Sequence, residues 1–231
     1  MKSEEGIIKN IQVLYEDNHL IIVNKSCGEL VHGDVTGDVT LEQTVKEYIK
    51  TKYDKPGEVF LGVIHRVDRP VSGIVMFART SKALARMNQM LQEKQIRKTY
   101  WAIVKTLPDN ETGTLIHYIV RNTKINRSHA GKTERPGSKK AVMHYRLIAS
   151  SERYHLLEID LQTGRHHQIR CQLAATGCPV RGDLKYGYPR SNPNGGISLH
   201  ARTIQFIHPV TKSEVELTAP TPEDWKKFGF I

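Results

Sequence analysis

The sequence predicts an α+β fold, a mixed and largely antiparallel sheet with flanking helices, and two observations carry that prediction. About ten short segments are apolar or alternate apolar with polar residues, as strands do, whereas only about three or four segments have helical spacing. These segments do not follow the strict strand-helix-strand alternation that a doubly wound parallel sheet requires. An antiparallel sheet that carries a few helices on its faces fits this order best.

The first eighty or so residues hold four apolar stretches and two helix starts. The apolar stretches are too short for helices, so we predict a strand in each of them: two in 11–25 joined by a turn, then 59–65 and 72–79. Thr40 has the pattern of an N-cap for a first helix that ends near 54–57, and Ser81 has that of an N-cap for a second helix.

Strand patterns dominate the remainder of the chain. Apolar or alternating runs predict five more strands: 97–105, 141–149, 153–161, 196–209 and 213–220. Between them, 163–187 predicts a short helix with Ile169 and Leu173 facing the core, and 221–229 predicts a terminal helix. We find no internal repeat and no low-complexity tract, so we expect a single domain over residues 1–231.

Composition and cysteine usage limit the class of protein. A chain of 231 residues can bury a substantial core, and 39% hydrophobic with 25% charged residues is typical of a globular protein. The three cysteines, Cys27, Cys171 and Cys178, are an odd number without CxxC spacing. This pattern argues against a disulfide framework and favours a reducing compartment, so we expect the protein in the cytoplasm. No coiled-coil heptads indicate an obligate assembly, and we expect a monomer.

The net charge indicates the kind of partner. Thirty-four Lys and Arg against 24 Asp and Glu give 34 − 24 = +10 with neutral histidines, an excess that attracts polyanions. Nucleic acid is favoured over membrane, because the N-terminal MKSEEGIIKNIQ has acidic residues and no apolar core where a signal peptide needs one. No stretch approaches the roughly 20 apolar residues of a spanning helix, so we expect no membrane partner.

Residues 121–140 are the most basic segment, with seven Lys or Arg and one Glu, a local balance of 7 − 1 = +6. The segment lacks apolar periodicity, so a solvated loop is the simple interpretation, and contact with nucleic-acid phosphates is the functional one. The candidate phosphate contacts, together with one arginine from a later motif, are Lys124, Arg127, Lys132, Arg135, Lys139, Lys140 and Arg165.

The loop between the strands at 59–65 and 72–79 carries a carboxylate, Asp68, with an arginine two residues before it and another directly after it. Packing of a core does not require such charges. Pro70 stiffens the loop, and nearby positive charge favours an ionised carboxylate, which can act as a nucleophile or a base. A structural Arg-Asp ion pair is the alternative, and from these residues alone it is the commoner arrangement.

Other kinds of catalytic site have weaker support. His166, His167, Cys171 and Cys178 could supply zinc ligands, but adjacent helical histidines point about 100° apart and the cysteines lack finger spacing. No dinucleotide or P-loop motif occurs, and the HRVD tetrad places its aspartate one position too late for a kinase catalytic loop. We therefore expect neither a metal nor a cofactor.

Two long segments resemble motifs of the RluA-type pseudouridine synthases. HRVDRPVSGIVMFART resembles the HRLDxxTSG motif of this family, and TGRHHQIRCQLAATGCPVRGDLKYG resembles the later TGRxHQIRxHLxxxGxPIxGDxxYG motif. Shorter matches at KTYWAIV, SLHA and VLYEDNHLIIVNK with GELVH extend the likeness from Ile11 to Pro220. The resemblance implies a pseudouridine synthase catalytic fold and an enzyme that flips out uridines of structured RNA, tRNA or rRNA, and isomerises them without a cofactor.

The resemblance also implies roles for five residues. Asp68 matches the catalytic aspartate, and Arg170 matches the arginine that pairs with it. Tyr100 matches the tyrosine that stacks on the target uracil, and Leu199 matches a leucine that lines the site. Arg66 lies where family members place an arginine that helps to displace the target base. Whether the aspartate attacks the ribose, attacks the base or abstracts a ribose proton stays open.

The chain departs from the family pattern at a few positions. Lys25-Ser26-Cys27-Gly28 replaces the usual Lys-Pro-Ala-Gly, and Val67 and Val71 replace the usual Leu and Thr near the aspartate. These changes put substrate detail in doubt more than activity. Many relatives carry an N-terminal S4-type RNA-binding domain, which we do not expect here, so RNA specificity would come from the catalytic domain, with 121–140 as a candidate.

Two alternatives from other classes remain. A non-catalytic RNA-binding or ribosome-assembly protein could use the same fold, although it would be expected to lack the aspartate, tyrosine and arginine set. A glycoside or nucleoside hydrolase would commonly use two carboxylates. Asp183 is the nearest second acid, and we expect it to fix a loop instead. We expect His32 and His65 to be hydrogen-bonded structural residues.

Overall fold

The computed structural model describes residues 11–33 and 37–230. Residues 1–10, 34–36 and 231 lie outside the described residues. The prediction that the N-terminus is not a signal peptide concerns mainly residues 1–10. The helices of the described part are too short or too polar to cross a bilayer.

Eleven strands of the described chain form one sheet. They are β1 Gln12–Glu16, β2 Leu20–Lys25, β3 Gly62–Val63, β4 Ser72–Ala78, β5 Arg97–Val104, β6 Thr112–Asn122, β7 Arg127–Gly131, β8 Lys139–Ser150, β9 His155–Leu161, β10 Leu199–Ile207 and β11 Glu214–Thr218. The order across the sheet is β1-β2-β4-β10-β5-β9-β8-β6-β7, with β11 beside β10 and β3 beside β4. The predicted mixed, largely antiparallel sheet is confirmed.

The parallel pairing of β4 with β10 brings distant parts of the chain together. Ser72 pairs with His200 and Gly73 with Ala201, while the other edge of β10 pairs with β5. Gly73 has a left-handed φ of 110°, and a Cβ there would lie 2.3 Å from the Ala201 carbonyl oxygen, so this close approach requires glycine. The strand that follows Asp68 therefore lies two strands away from the one that carries Tyr100.

Three α-helices pack on the sheet: α1 Leu41–Lys52, α2 Ser81–Gln92 and α3 Gln168–Ala175. Thr40 caps α1 as predicted, since its side chain accepts from the Gln43 backbone and the Gln43 side chain accepts from the Thr40 backbone. Two short 3-10 helices, Leu184–Tyr186 and Glu223–Phe228, complete the described helices.

Alternating side chains of the central strands build two apolar layers. On one face Ile21, Val23, Val75 and Phe77 pack against α1, and on the other Leu20, Ile22, Ile74 and Met76 share a cluster with residues of α2 and α3. Ile169 and Leu173 of α3 are buried in this second cluster, as predicted. The same cluster contains Tyr100, so the tyrosine lies on the face that α3 covers.

Several boundaries differ from the predictions. Thr80, and not Ser81, caps α2, because Ser81 is already its first residue. Helix α1 ends at Lys52, before 54–57, and the predicted strand at 59–65 is reduced to two residues. The predicted terminal helix at 221–229 is a 3-10 helix, which tightens around Trp225 and Phe228 where they pack on the sheet.

The interpretation of 121–140 as a solvated loop is wrong, because this segment holds the end of β6, all of β7 and the beginning of β8. Strand β7 does alternate: Ser128 and Ala130 are buried between exposed neighbours. The buried members are small or polar, so hydropathy did not reveal the alternation. We call residues 121–140 the basic hairpin.

Candidate active site

Asp68 lies in a turn that three backbone contacts fix. Its carbonyl oxygen accepts from the Val71 amide at 2.9 Å, and the Pro70 carbonyl accepts from the Ile197 amide at 3.0 Å. The Arg69 carbonyl accepts from the Gly28 amide at 2.8 Å. The Asp68 side chain is 28% exposed, so a substrate can reach a carboxylate whose backbone is held in place.

Arg170, on the first turns of α3, holds the Asp68 carboxylate. Its Nη1 donates to Asp68 Oδ2 at 2.9 Å, while Nε and Nη2 donate to the two oxygens of Asp183 at 2.7 and 2.9 Å. Burial disfavours the charged guanidinium, but the hydrogen bonds and charges of Asp183, followed by those of Asp68, raise the pKa of Arg170 above its ordinary value. Asp183 is buried, and its two hydrogen bonds orient the Arg170 guanidinium. This role is more specific than the loop-fixing role predicted for Asp183.

The two arginines beside Asp68 in the sequence do not hold it. Arg69 pairs with Asp38 at 2.9 Å, and Arg66 is exposed with no hydrogen bond or ion pair among the described residues. Sequence reasoning assigned the positive charge to the wrong arginines, because closeness in sequence does not determine which way the side chains of a turn point. The partner that contacts Asp68 is Arg170, 102 positions later.

Tyr100 and Leu199, two further residues that the resemblance implicates, share an apolar cluster. Tyr100 is 8% exposed in β5, where it pairs with Ala201 of β10, and Leu199 begins β10 in the same apolar cluster. Burial, with the nearby charge of Asp68, raises the pKa of Tyr100 above its ordinary value, so the phenol stays protonated. The structure thus places Tyr100 within electrostatic reach of the carboxylate.

His167 and Tyr186 belong to the site and were missed as functional residues. His167 Nε2 lies 3.5 Å from Asp68 Oδ2, and its Nδ1 lies 2.9 Å from the Tyr186 hydroxyl. Burial lowers the pKa of His167 to about 3, against the opposing charge of Asp68, so its ring is neutral near pH 7. We call Asp68, Arg170, Asp183, His167 and Tyr186 the Asp68 centre.

The sequence offered a signal for both residues, since His167 and Tyr186 fall in the same long motif as Arg170. His167 was weighed only as a zinc ligand together with His166, whose ring stacks on it with centroids 3.8 Å apart. In a regular helix the side chains of adjacent histidines would point apart. His167 instead has a left-handed φ of 53° just before α3, which brings the two rings together.

Lys25, at the end of β2, is a third residue that sequence reasoning left without a role. Its side chain is 1% exposed, and Nζ donates to the carbonyls of Ser26, Glu29 and Arg69 at 2.8, 2.9 and 3.1 Å. Burial lowers the pKa of Lys25 to about 8. Because one acceptor follows Asp68 directly, Lys25 ties the Asp68 turn to the segment after β2.

The seven candidate phosphate contacts are all exposed, and none forms an ion pair within the described chain. One of them reaches the Asp68 centre, and a second reaches the start of β8. The Arg127 guanidinium lies 5.3 Å from the Tyr186 ring, and Arg165 Nε donates to the Lys140 carbonyl at 3.1 Å at the start of β8. The side chains of the other five have no recorded contact with the described residues of the Asp68 centre. They lie in the turns of the basic hairpin and at the start of β8.

A groove of about 510 Å³ lies at the start of β5. Lys98, two positions before Tyr100 on the same face of β5, lines it, with Lys94 and Arg97 nearby and Arg165 on the opposite wall. Burial lowers the pKa of Lys98, which has no ion pair among the described residues. Asp160, which pairs with Arg97 at 3.3 Å, is the one acidic residue of this described lining, so the groove carries an excess of positive charge.

Side chains that could bind a metal ion do not cluster in the described part of the chain. Within residues 11–33 and 37–230, no three His, Cys, Asp or Glu side chains are placed to hold a metal ion. Cys171 is buried, and burial raises the pKa of its thiol to about 12. His32 contacts Glu42 at 2.5 Å and His65 accepts from the Met76 amide at 3.3 Å, in keeping with the structural roles predicted for both.

The chain was compared with known proteins. Residues 19–175 match the family model described as RNA pseudouridylate synthase. The uncharacterized RNA pseudouridine synthase YhcT of Bacillus subtilis is 36% identical over 222 residues, which are 94% of this chain and 70% of the relative. Ribosomal large subunit pseudouridine synthase D of Xylella fastidiosa is 32% identical over 231 residues, covering 93% and 67% of the two chains.

Solved structures show the same fold. Human RNA Pseudouridylate Synthase Domain Containing 4 superposes with a TM-score of 0.77 at 22% identity, covering 93% of this chain and 90% of the other. Human RNA Pseudouridylate Synthase Domain Containing 1 gives 0.71 at 24% identity, with coverages of 95% and 87%.

Proposed function

This chain belongs to the RNA pseudouridylate synthase family and isomerises uridine to pseudouridine in RNA, and from that premise we propose that Asp68 is its catalytic carboxylate. The observation that carries the proposal is the arrangement of charges. Asp68 is partly open to solvent, and the arginine that holds it is itself buried and clamped by Asp183. An aimed, accessible carboxylate is what a catalytic group requires.

The reaction suits a site built around one carboxylate. The N1 to C1′ bond of uridine breaks, the uracil turns, C5 bonds to C1′, and the hydrogen on C5 leaves as a proton while a proton is regained at N1. Substrate and product are isomers, so the balance needs no oxidant and no energy source. Addition to C1′, addition to the base and abstraction of a ribose proton all need an ionised carboxylate with one oxygen accessible.

Tyr100, Leu199 and Arg66 fit the handling of a flipped base. A stacked base must first leave its helix, at a cost of about a few kcal/mol, which stacking on an aromatic ring can offset. Tyr100 is a protonated phenol near Asp68 and would face the uracil, with Leu199 lining the same pocket. Arg66 is exposed beside the catalytic turn, so we propose that it takes the place of the base in the RNA stack.

The basic hairpin and the groove at the start of β5 would bind the RNA backbone. An exposed cation that forms no ion pair within the protein does not have to break one in order to bind a phosphate. Its binding also releases counterions from the RNA. We propose structured tRNA or rRNA as the substrate, and large-subunit rRNA is the first to test because a 32% identical relative carries that name.

The test is release of tritium from RNA labelled at uracil C5, with tRNA and rRNA as separate substrates. Wild type is expected to release tritium, and Asp68→Asn is expected to release none while it still binds RNA. Asp109→Asn is the matched control, because it makes the same change at an exposed turn with no ion pair among the described residues. Turnover by Asp68→Asn would overturn the proposal, and tight binding without release by wild type would favour the non-catalytic RNA-binding alternative.

A further inference from the structure

The hydrogen bonds around Tyr186 have a defined direction. The Ser128 backbone N–H donates to the Tyr186 hydroxyl oxygen at 2.8 Å, and a backbone amide cannot act as the acceptor. The hydroxyl proton is therefore free for its other neighbour, His167 Nδ1, at 2.9 Å. Burial raises the pKa of Tyr186 to about 12, so the phenol keeps this proton near neutral pH.

This direction favours one tautomer of His167. A neutral imidazole carries one proton, and a ring whose Nδ1 accepts a hydrogen bond carries it on Nε2. Burial keeps this ring neutral, because it lowers the pKa of His167 to about 3. The protonated nitrogen is then the one that faces Asp68 Oδ2, at 3.5 Å. That separation is longer than an ordinary hydrogen bond, and such contacts often shorten when substrate binds.

The same carboxylate oxygen has a second donor. Arg170 Nη1 also donates to Oδ2, at 2.9 Å, whereas no described residue donates a hydrogen bond to Oδ1. The two oxygens of Asp68 are therefore unlike: one faces two donors from α3 and its N-cap position, and the other has no donor from the described protein.

We propose that Tyr186 and His167 are positioning residues that fix the Asp68 carboxylate through Oδ2 and leave Oδ1 as the oxygen that reacts with the uridine. The proposal rests on the catalytic role proposed for Asp68. In this arrangement Tyr186 selects the tautomer, His167 presents its Nε2–H, and Arg170 supplies the charge.

The backbone at His167 supports the assignment. Its left-handed φ of 53° is uncommon for a residue with a side chain, and its side chain makes no capping bond to α3 although it occupies the N-cap position. The ring instead lies between Tyr186 and Asp68, with His166 stacked on it. A strained backbone that places a ring between two functional groups is typical of a functional site.

The tautomer can be measured directly by ¹⁵N NMR of protein labelled in histidine. We expect His167, identified by the signals lost in His167→Gln, to show a protonated Nε2 and an unprotonated Nδ1. In Tyr186→Phe the preference should be lost, because Nδ1 no longer has a donor. Tyr188→Phe is the matched control, since it removes a hydroxyl two residues away that interacts with Tyr154. A wild-type ring protonated on Nδ1 would overturn the proposal.

Kinetics separate positioning from a purely structural role. Tyr186→Phe should lower kcat about tenfold and His167→Leu about a hundredfold, both with KM for RNA within about twofold of wild type. His167→Gln should regain part of the loss in His167→Leu, because its amide N–H can replace Nε2–H. Thermal unfolding of each variant shows that the protein is folded at the assay temperature.

Asp68→Asn distinguishes failure of this inference from failure of the proposed function. If Asp68→Asn is inactive while Tyr186→Phe and His167→Leu keep the wild-type kcat, the positioning role is wrong and the catalytic aspartate stands. If Asp68→Asn turns over, the proposed function itself fails.

Discussion

The Asp68 centre and the basic hairpin use charge in opposite ways. In the centre, Arg170 and Asp183 are 5% and 1% exposed, and each makes directed hydrogen bonds. In the hairpin the lysines and arginines are exposed and lack ion pairs within the described chain. Buried, paired charges are costly to disturb and hold atoms in place, whereas exposed charges contribute little individually and add up along a polyanion. We therefore expect the centre to control turnover and the hairpin to control binding.

The largest expected effect is at Arg170. Arg170→Ala leaves Asp183 buried without its partner, so we expect a loss of about 3 to 5 kcal/mol in the free energy of unfolding and at least a hundredfold loss of kcat. Urea unfolding and tritium release measure the two effects.

A double variant separates stability from catalysis at the same position. Arg170→Met with Asp183→Leu removes both buried charges, so we expect most of the lost stability to return while turnover stays low. Recovery of turnover together with stability would place Arg170 among the purely structural residues.

The second effect concerns the basic hairpin. Replacing Lys124, Lys132 and Lys139 with alanine should raise KM about tenfold with little change in kcat, and should reduce the slope of log affinity against log salt by about 2. The control replaces Lys50, Lys226 and Lys227, which lie on α1 and the terminal 3-10 helix. An equal loss in the control would mean that only net charge matters and that the hairpin is not the binding surface.

The smallest effect concerns pH and Lys25. Its pKa of about 8 in the folded protein lies below the ordinary value of 10.5, because the side chain is buried. As pH rises past 8 the ammonium loses a proton and one of its three donors, so the Asp68 turn loosens and kcat should fall about two- to threefold by pH 9.5.

The accompanying change in stability has the opposite sign. Between pH 8 and 10 the unfolded chain binds more protons at Lys25 than the folded one, so this group favours folding more as pH rises. Loss of activity in this window would therefore be local. Lys25→Met should lack the alkaline fall in kcat, and an unchanged profile in that variant would show that another group titrates.

Much of the fold was predicted from patterns of neighbouring residues in the sequence. The unbroken apolar run of β4 predicted a buried strand, and Thr40 predicted an N-cap, because both signals lie within a few neighbouring residues. Strand β7 was missed because its buried positions are Ser128 and Ala130. Residues whose burial comes from tertiary packing do not reveal themselves by hydropathy.

The site was predictable through the family motifs, and less so through proximity in sequence. Tyr100 and Leu199 share one apolar cluster and Arg170 contacts Asp68, but the neighbouring arginines were wrongly expected to hold the carboxylate. The clamp of Arg170 by Asp183 and the placement of the His167 ring depend on a loop and a left-handed residue. Contacts of this kind form only when distant segments of the chain pack together in the folded protein.

The most direct test is single-turnover tritium release with enzyme in excess over RNA, comparing Asp68→Asn with the triple lysine variant. The account predicts that high enzyme concentration restores the wild-type rate to the lysine variant, because only its binding is weakened, and that Asp68→Asn releases no tritium at any concentration. Release by Asp68→Asn at saturation would contradict the assignment of catalysis to this carboxylate.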